Sequence, residues 1–420
     1  MSFLSRPNAV LAPIRESFAE VNLRHLFLGR ALRSLSLGYL NIIVPIYLVS
    51  LGYSAVRIGV VFTAGSLGSM ALTAAVGLIA DRVGRKPLLI TLGLLTSASG
   101  LLFAMAPGFG LLLFAAAIGT IGRGGGAGSS GSFGPYFPAE QALIAEHAGD
   151  ERRTSAFGVV SLVGVLAGSA GSLVATTPSL LHGTFGLSVA TGERALFLLT
   201  AVIGVAMALV ILPVSERPRA PRERGAPRLG AATRRMLPRF MITNATNGIA
   251  VGMLGPVLVY WFHVRYGATS AQLGTLYFLA NIAAAPSNLL APIFARRLGA
   301  VSAVVSARSL AVLLLAAMAV VPRFWLAGVL FLLRTQVNTI SGPIRQSFLM
   351  GVVDEEDRST AAGMSNLPLQ ALSSAGPTIA GQIMQSVALS LPILIAASLQ
   401  AVNAALYYAF FRNVRPPEEL

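Results

Sequence analysis

The chain has 420 residues, of which 55% are hydrophobic and only 11% charged, with a mean hydropathy of +0.73. A soluble domain carries about 25% charged residues, so a water-soluble surface cannot be built from this composition. The net charge of +15 would suit a nucleic-acid partner, but it follows the pattern of inner membrane loops described below. The absence of cysteine excludes a disulfide framework and a thiolate metal site.

In chain order, the residues before Asn22 are mixed and partly charged rather than a cleavable signal, so the first apolar segment is expected to be retained. From there hydropathy predicts twelve membrane-spanning helices, at 23–50, 55–80, 87–106, 109–146, 154–176, 194–214, 238–262, 270–295, 301–321, 324–350, 359–386 and 389–411. Each approaches or exceeds the roughly 20 residues that cross a bilayer as helix. Unbroken apolar runs exclude the alternating strands of a barrel. The fourth span is too long for one crossing at 1.5 Å per residue, and it contains the glycine-rich stretch Arg123 to Pro135. A break, an overlong extension or a re-entrant turn is expected there, and irregular backbone at membrane depth is tolerated only against protein or a water-filled cavity. After the sixth span, Ser215 to Arg235 is rich in arginine and proline. It reads as a cytoplasmic linker at 215–237 between six-helix bundles at 1–214 and 238–420. With the N-terminus inside, Arg82, Arg85, Lys86, Arg152, Arg153, the Arg217 to Arg239 cluster, Arg296, Arg297, Arg358, Arg412 and Arg415 fall on the inner side. Arg57, Arg194, Arg265 and Arg323 fall outside. This asymmetry places both termini in the cytoplasm.

The two halves carry a weak repeat. Pro138-Ala139-Glu140-Gln141 aligns with Pro343-Ile344-Arg345-Gln346 at an offset of 205, and Glu151 to Gly158 aligns with Glu356 to Gly363 at the same offset. A looser match relates Gly77 to Gly84 with Pro292 to Gly299 at an offset of 215. A duplicated bundle is expected to leave such a trace.

Gly77-Leu-Ile-Ala-Asp81-Arg82-Val-Gly84-Arg85-Lys86 closely resembles the loop motif of the major facilitator superfamily, G-x-x-x-D-R-x-G-R-[RK], and stands at the same place, between helices two and three. Motif, spans, central linker and repeat coincide, so the resemblance covers essentially the whole chain. It implies an all-α fold of two pseudo-symmetric six-helix bundles and a secondary transporter working by alternating access. In that family the motif is a cytoplasmic gate. The carry-over directs Asp81 at the N-terminus of helix eleven, near Arg358 to Thr360, where a helix dipole favours a carboxylate. Arg82, Arg85 and Lys86 would bridge to Glu146, Asp150 or lipid headgroups; the lesser alternative is that they are simple topology determinants. The second-half copy departs from the pattern, with Pro292 and Arg296 in place of the glycine and aspartate. The family's arginine motif on helix four is approximated only by Arg123.

Ionisable residues inside spans cost about 2.5–3.5 kcal/mol on insertion scales and are candidates for function. Here they are Arg30, Arg33, Arg123, Glu140, Arg308, Arg334 and Arg345. Glu140 is the one carboxylate clearly within a span, and its repeat-mate is Arg345. The two could meet as a charge pair that latches one side of the transporter, or both could snorkel to the inner surface. Arg30 is placed to snorkel, Arg33 lies deeper, and Arg308 reads as an anchor near the inner face. Gln141 and Gln346 stand out among neutral polar residues because they repeat, and Gly164-x-x-x-Gly168 fits close helix packing.

The reading is a secondary transporter of the cytoplasmic membrane, exporting small amphipathic or organic-anion compounds with Glu140 as proton carrier. Uptake of a polar or anionic solute, or a non-transporting sensor or lipid-handling protein, are the alternatives. The expected partners are a small-molecule substrate, protons or another coupling ion, and membrane lipids, without nucleic acid and as a monomer. No convergent nucleophile, metal-ligand cluster or carboxylate dyad is present, so neither enzymatic activity nor a cofactor is expected.

Overall fold

The computed structural model describes residues 20–105, 108–119, 134–216, 229–354 and 357–414; for residues 81, 149–154, 285, 288–290, 292, 358–360 and 362 it describes the backbone alone. The described residues form helices and no strand. In order these are α1 (Val21–Ser50), α2 (Ala55–Val83), α3 (Arg85–Met105), α4 (Phe109–Gly119), α5 (Tyr136–Val174), α6 (Thr177–Phe185), α7 (Val189–Ile211), α8 (Ala231–Tyr266), α9 (Ser270–Leu298), α10 (Ala300–Val320), α11 (Phe324–Val352), α12 (Arg358–Ser386) and α13 (Leu391–Phe411).

Among the described residues, eight helical stretches are long and apolar enough to cross a membrane: α1, α2 to Ala80, α3, Ser155–Phe185, α7, α8, α10 and α13. Large apolar side chains point outward along them, as with Val202, Leu209, Leu313 and Val320, while arginine, glutamate, serine and asparagine lie inside. Water would reverse that distribution; lipid favours it. Helices α9, α11 and α12 are each 29 residues long, or about 43 Å at 1.5 Å per residue, but they carry more polar side chains.

Of the expected fourth span, 109–146, the described residues are α4 as far as Gly119, a turn at Gly134 and Pro135, and α5 from Tyr136; residues 120–133, with most of the expected break, lie outside the described residues. The expected inner loop between spans four and five is not a loop. Its backbone is part of α5, a continuous helix of 39 residues. Ala145 to Ala156 contains no proline and is rich in alanine, glutamate and arginine, all strong helix formers. Polarity therefore ends the span there without ending the helix.

The chain divides into two compact units. The first takes α3 to α7 with α1 as far as Val44 and α2 from Ala64; the second takes α8 to α13 with the α1–α2 hairpin Pro45–Thr63. Within the first unit α3 packs along α7, and within the second α8 packs along α12. Glycine allows the closest approaches. A Cβ on Gly38 of α1 would strike the Gly168 carbonyl and the backbone of Gly171 and Ser172 on α5. In the second unit a Cβ on Gly252 of α8 would strike the Ser373 carbonyl, and one on Gly376 would strike Gly252. Gly38 and Gly252 are 214 residues apart, while Gly168 and Ser373, and Gly171 and Gly376, are 205 apart. The same contact is thus built twice, with small residues setting the helix spacing.

The ends of the expected linker are tied down. At its start, Glu216 accepts hydrogen bonds from the Arg85 and Lys86 backbone N–H groups, at 2.7 and 3.0 Å. The Ser215 carbonyl faces His147 Nε2 at 2.9 Å, and the Ser215 N–H donates to Asn22. At its end, residues 231–237 are already helix α8. Gly230, its N-cap, donates its N–H to Asp357 at 2.7 Å. Thr233 donates both N–H and hydroxyl to Asp354, at 3.0 and 3.1 Å.

Candidate functional site

Arg30 and Arg33 stand three residues apart on α1 and so share a face. The chain reaches them through Gly134, whose φ of +94° suits a residue without Cβ. That turn starts α5, with Tyr136 and Glu140 one helical turn apart. Arg30 Nη1 lies 2.9 Å from Glu140 Oε2, and Arg33 Nη1 lies 3.6 Å from the same oxygen. The Arg33 guanidinium also sits 4.8 Å above the Tyr136 ring, a favourable cation–π placement. The Tyr136 hydroxyl is in turn bonded to Thr96 of α3 at 3.1 Å. Arg30 is 2% exposed and Glu140 5%. A small cleft opens beside the cluster, with Leu26, Leu89, Met207 and Ile211 forming its apolar wall. One carboxylate thus serves two guanidiniums in a buried setting, where removing a single partner of a charge pair costs about 3–5 kcal/mol.

Glu140 thus finds both of these partners within the first unit. Its repeat-mate Arg345 donates to Asn244 Oδ1 at 2.6 Å within the second unit, and Asn244 donates to the Ser365 carbonyl at 2.6 Å. Arg30 and Asn244 are 214 residues apart, and Glu140 and Arg345 are 205 apart, the offsets of the glycine contacts. Arg30–Glu140 and Asn244–Arg345 are therefore equivalent contacts in the two units. Arg30 does not snorkel, since Glu140 holds it inside. Arg308, expected as a surface anchor, is 8% exposed and turned into the second unit.

Among the remaining candidates, Arg334 is buried on α11. Gln141 is half-buried and Gln346 exposed, and neither lines the cleft. Arg123 lies outside the described residues. In the motif loop, Gly84 has a φ of +94° and Arg85 Nη1 lies 3.4 Å from Glu146. Arg82 is exposed and Lys86 half-buried. Gly77 lies within α2, with open space where a Cβ would stand. The side chain of Asp81, those of Arg358 to Thr360 and that of Asp150 lie outside the described residues. Sequence reasoning missed Tyr136, although its spacing of four from Glu140 was a usable signal. It also missed Glu216, for which no sequence signal existed.

The fold and the buried charges define a polytopic, all-helical membrane protein among the described residues. The profile of the major facilitator superfamily matches residues 26–377, and the chain belongs to that family. The uncharacterized membrane protein YJR124C of Saccharomyces cerevisiae is 22% identical over 406 residues, covering 88% of this chain and 89% of that protein. The quinolone resistance protein NorA of Staphylococcus aureus is 28% identical over 130 residues, 31% of each chain. Among solved structures, a bacterial homolog of the human lysosomal transporter Spinster, in an inward-facing and occupied conformation, superposes with a TM-score of 0.73. It is 15% identical, and the match covers 93% of this chain and 96% of that one.

Proposed function

We infer that the protein is a proton-coupled secondary transporter that exports small amphipathic or organic-anion compounds across the cytoplasmic membrane, with both termini inside. The observation that carries this reading is the buried Arg30–Glu140–Arg33 cluster beside a cleft. When Glu140 takes up a proton, the negative charge it places between the two guanidiniums is gone. Their repulsion, strong in a low-dielectric setting, then favours a rearrangement of α1 against α5. Proton binding and helix position are coupled through that pair, as a two-state element requires. The glycine contact between the same helices, Gly38 on Gly168 and Gly171, provides a smooth surface for the movement. Asp81, Arg82, Gly84, Arg85 and Lys86 form the inner gate in this reading, and the duplicated bundles rock about the substrate. The partial similarity to NorA supports export and suggests a quinolone as the first probe.

The test is flux in proteoliposomes, with a panel of fluorescent amphipathic and anionic compounds headed by a quinolone, with and without an imposed pH gradient. Gradient-driven flux is expected, and Glu140→Gln is expected to abolish it while sparing substrate exchange. Uphill transport by Glu140→Gln at the parent rate would overturn the role of Glu140. No substrate-dependent flux across the panel, with or without the gradient, would favour a non-transporting membrane protein.

A further inference from the structure

The second unit holds buried positive charge that nothing described there neutralises. Arg308 lies eight residues into α10, about 12 Å along the axis at 1.5 Å per residue. It is 8% exposed, and its Nε and Nη1 make no hydrogen bond among the described residues. Arg345 of α11 and Tyr407 of α13 both lie within electrostatic range of it. Tyr407 is wholly buried, packed on Phe348 and Phe411, yet its hydroxyl also lacks a hydrogen-bond partner among the described residues. Arg345 is half-buried and spends one Nη1 hydrogen bond on Asn244, a neutral group.

The repeat sharpens the contrast. In the first unit the position equivalent to Arg345 is Glu140, and it supplies the counter-charge for its neighbours. In the second unit that carboxylate is replaced by another cation. A buried guanidinium without a counter-ion is strongly disfavoured, and guanidinium forks match carboxylate and phosphate oxygens.

We propose that Arg308, Arg345 and Tyr407 form an oxyanion-binding site in the second unit, taking a carboxylate or phosphate group that supplies the charge Glu140 supplies in the first. The half-buried Arg345 is the edge by which the anion enters, and Arg308 and the Tyr407 hydroxyl meet it inside. The group belongs either to a free small anion or to a lipid headgroup. The site is independent of the proton step at Glu140, so its test reads binding and not transport.

Purified protein in a maltoside detergent and chloride buffer is melted with sodium phosphate, with benzoate, and with phosphatidylglycerol added to the micelles. At saturation the ligand is expected to raise Tm by about 2–4 °C. A rise with phosphate or benzoate identifies a free anion, and a rise with phosphatidylglycerol alone identifies a headgroup; either supports the site. Arg308→Gln is expected to abolish the rise and Tyr407→Phe to reduce it. Arg308→Met, which removes the unneutralised cation, is expected to melt above the parent in chloride buffer while gaining nothing from anion. Arg345→Gln, at the half-exposed edge, serves where Arg308→Gln does not fold. No rise in the parent with any of the three additions, or an equal rise in the arginine variants, overturns the proposal.

Discussion

Glu140 faces two guanidiniums at 2.9 and 3.6 Å, so its removal and its joint removal with Arg30 have different charge consequences. Glu140→Gln leaves two buried cations facing one another, whereas Arg30→Met with Glu140→Met returns the cluster to the net charge of the parent. The single variant is therefore expected to lose about 3–5 kcal/mol, with the double variant recovering most of it. Thermal melting in detergent reads the difference, and a double variant no more stable than the single one would remove the argument. The candidates themselves were legible in the sequence, because an ionisable residue inside an apolar run is costly wherever it points. Their pairing was not legible. Hydropathy ranks depth, and a repeat relates equivalent positions, but neither says which faces of α1 and α5 turn toward each other. That is decided by the glycine contact of Gly38 with Gly168 and Gly171, and by the turn at Gly134 that starts α5.

Helices α3 and α8 share a way of beginning. Each follows a glycine, Gly84 or Gly230, which has no side chain to cap the first free N–H groups. A carboxylate from elsewhere in the same unit does so instead: Glu216 for α3, and Asp354 with Asp357 for α8. Hydrogen bonds led by the Thr233 backbone N–H hold the Asp354 carboxyl below its usual range. A carboxylate favoured in the folded state adds stability above its ordinary pKa, and that stability is lost as the pH falls through the lowered one. The start of α8 is accordingly expected to be protected from hydrogen exchange at neutral pH. It should open only below the usual carboxylate range, and Asp354→Asn should already exchange fast at neutral pH. Equal protection of residues 230–236 in parent and variant would refute this. Such caps are invisible to hydropathy because they are set by partners more than a hundred residues away. The continuous backbone of α5 was missed for a related reason: charges mark where lipid ends, while helix propensity decides where the helix ends.

At the level of the whole molecule, two duplicated groups of helices were legible because a bilayer demands long apolar segments and a duplication keeps its spacing. The glycine and charge contacts recur at the same offsets of 214 and 205, a register that loop-based alignment alone did not reach for the first helix of each half. The orientation proposed from the arginine distribution has a direct check, since the chain lacks cysteine and needs no background substitutions. Ser215→Cys is expected to react with an impermeant maleimide only after the membrane is opened, and Ser188→Cys in intact cells. The opposite labelling would invert the topology and the export direction with it. Glu216 and Gly230 also have a mechanical meaning, since each is pinned to its own unit by a carboxylate–amide clasp. Fourteen peptide steps join these two anchor points, a contour of at most about 50 Å at 3.3–3.6 Å each. The covalent connection therefore acts as a leash of fixed maximum reach, and any stroke that drew it taut would load the clasps before it strained a membrane helix.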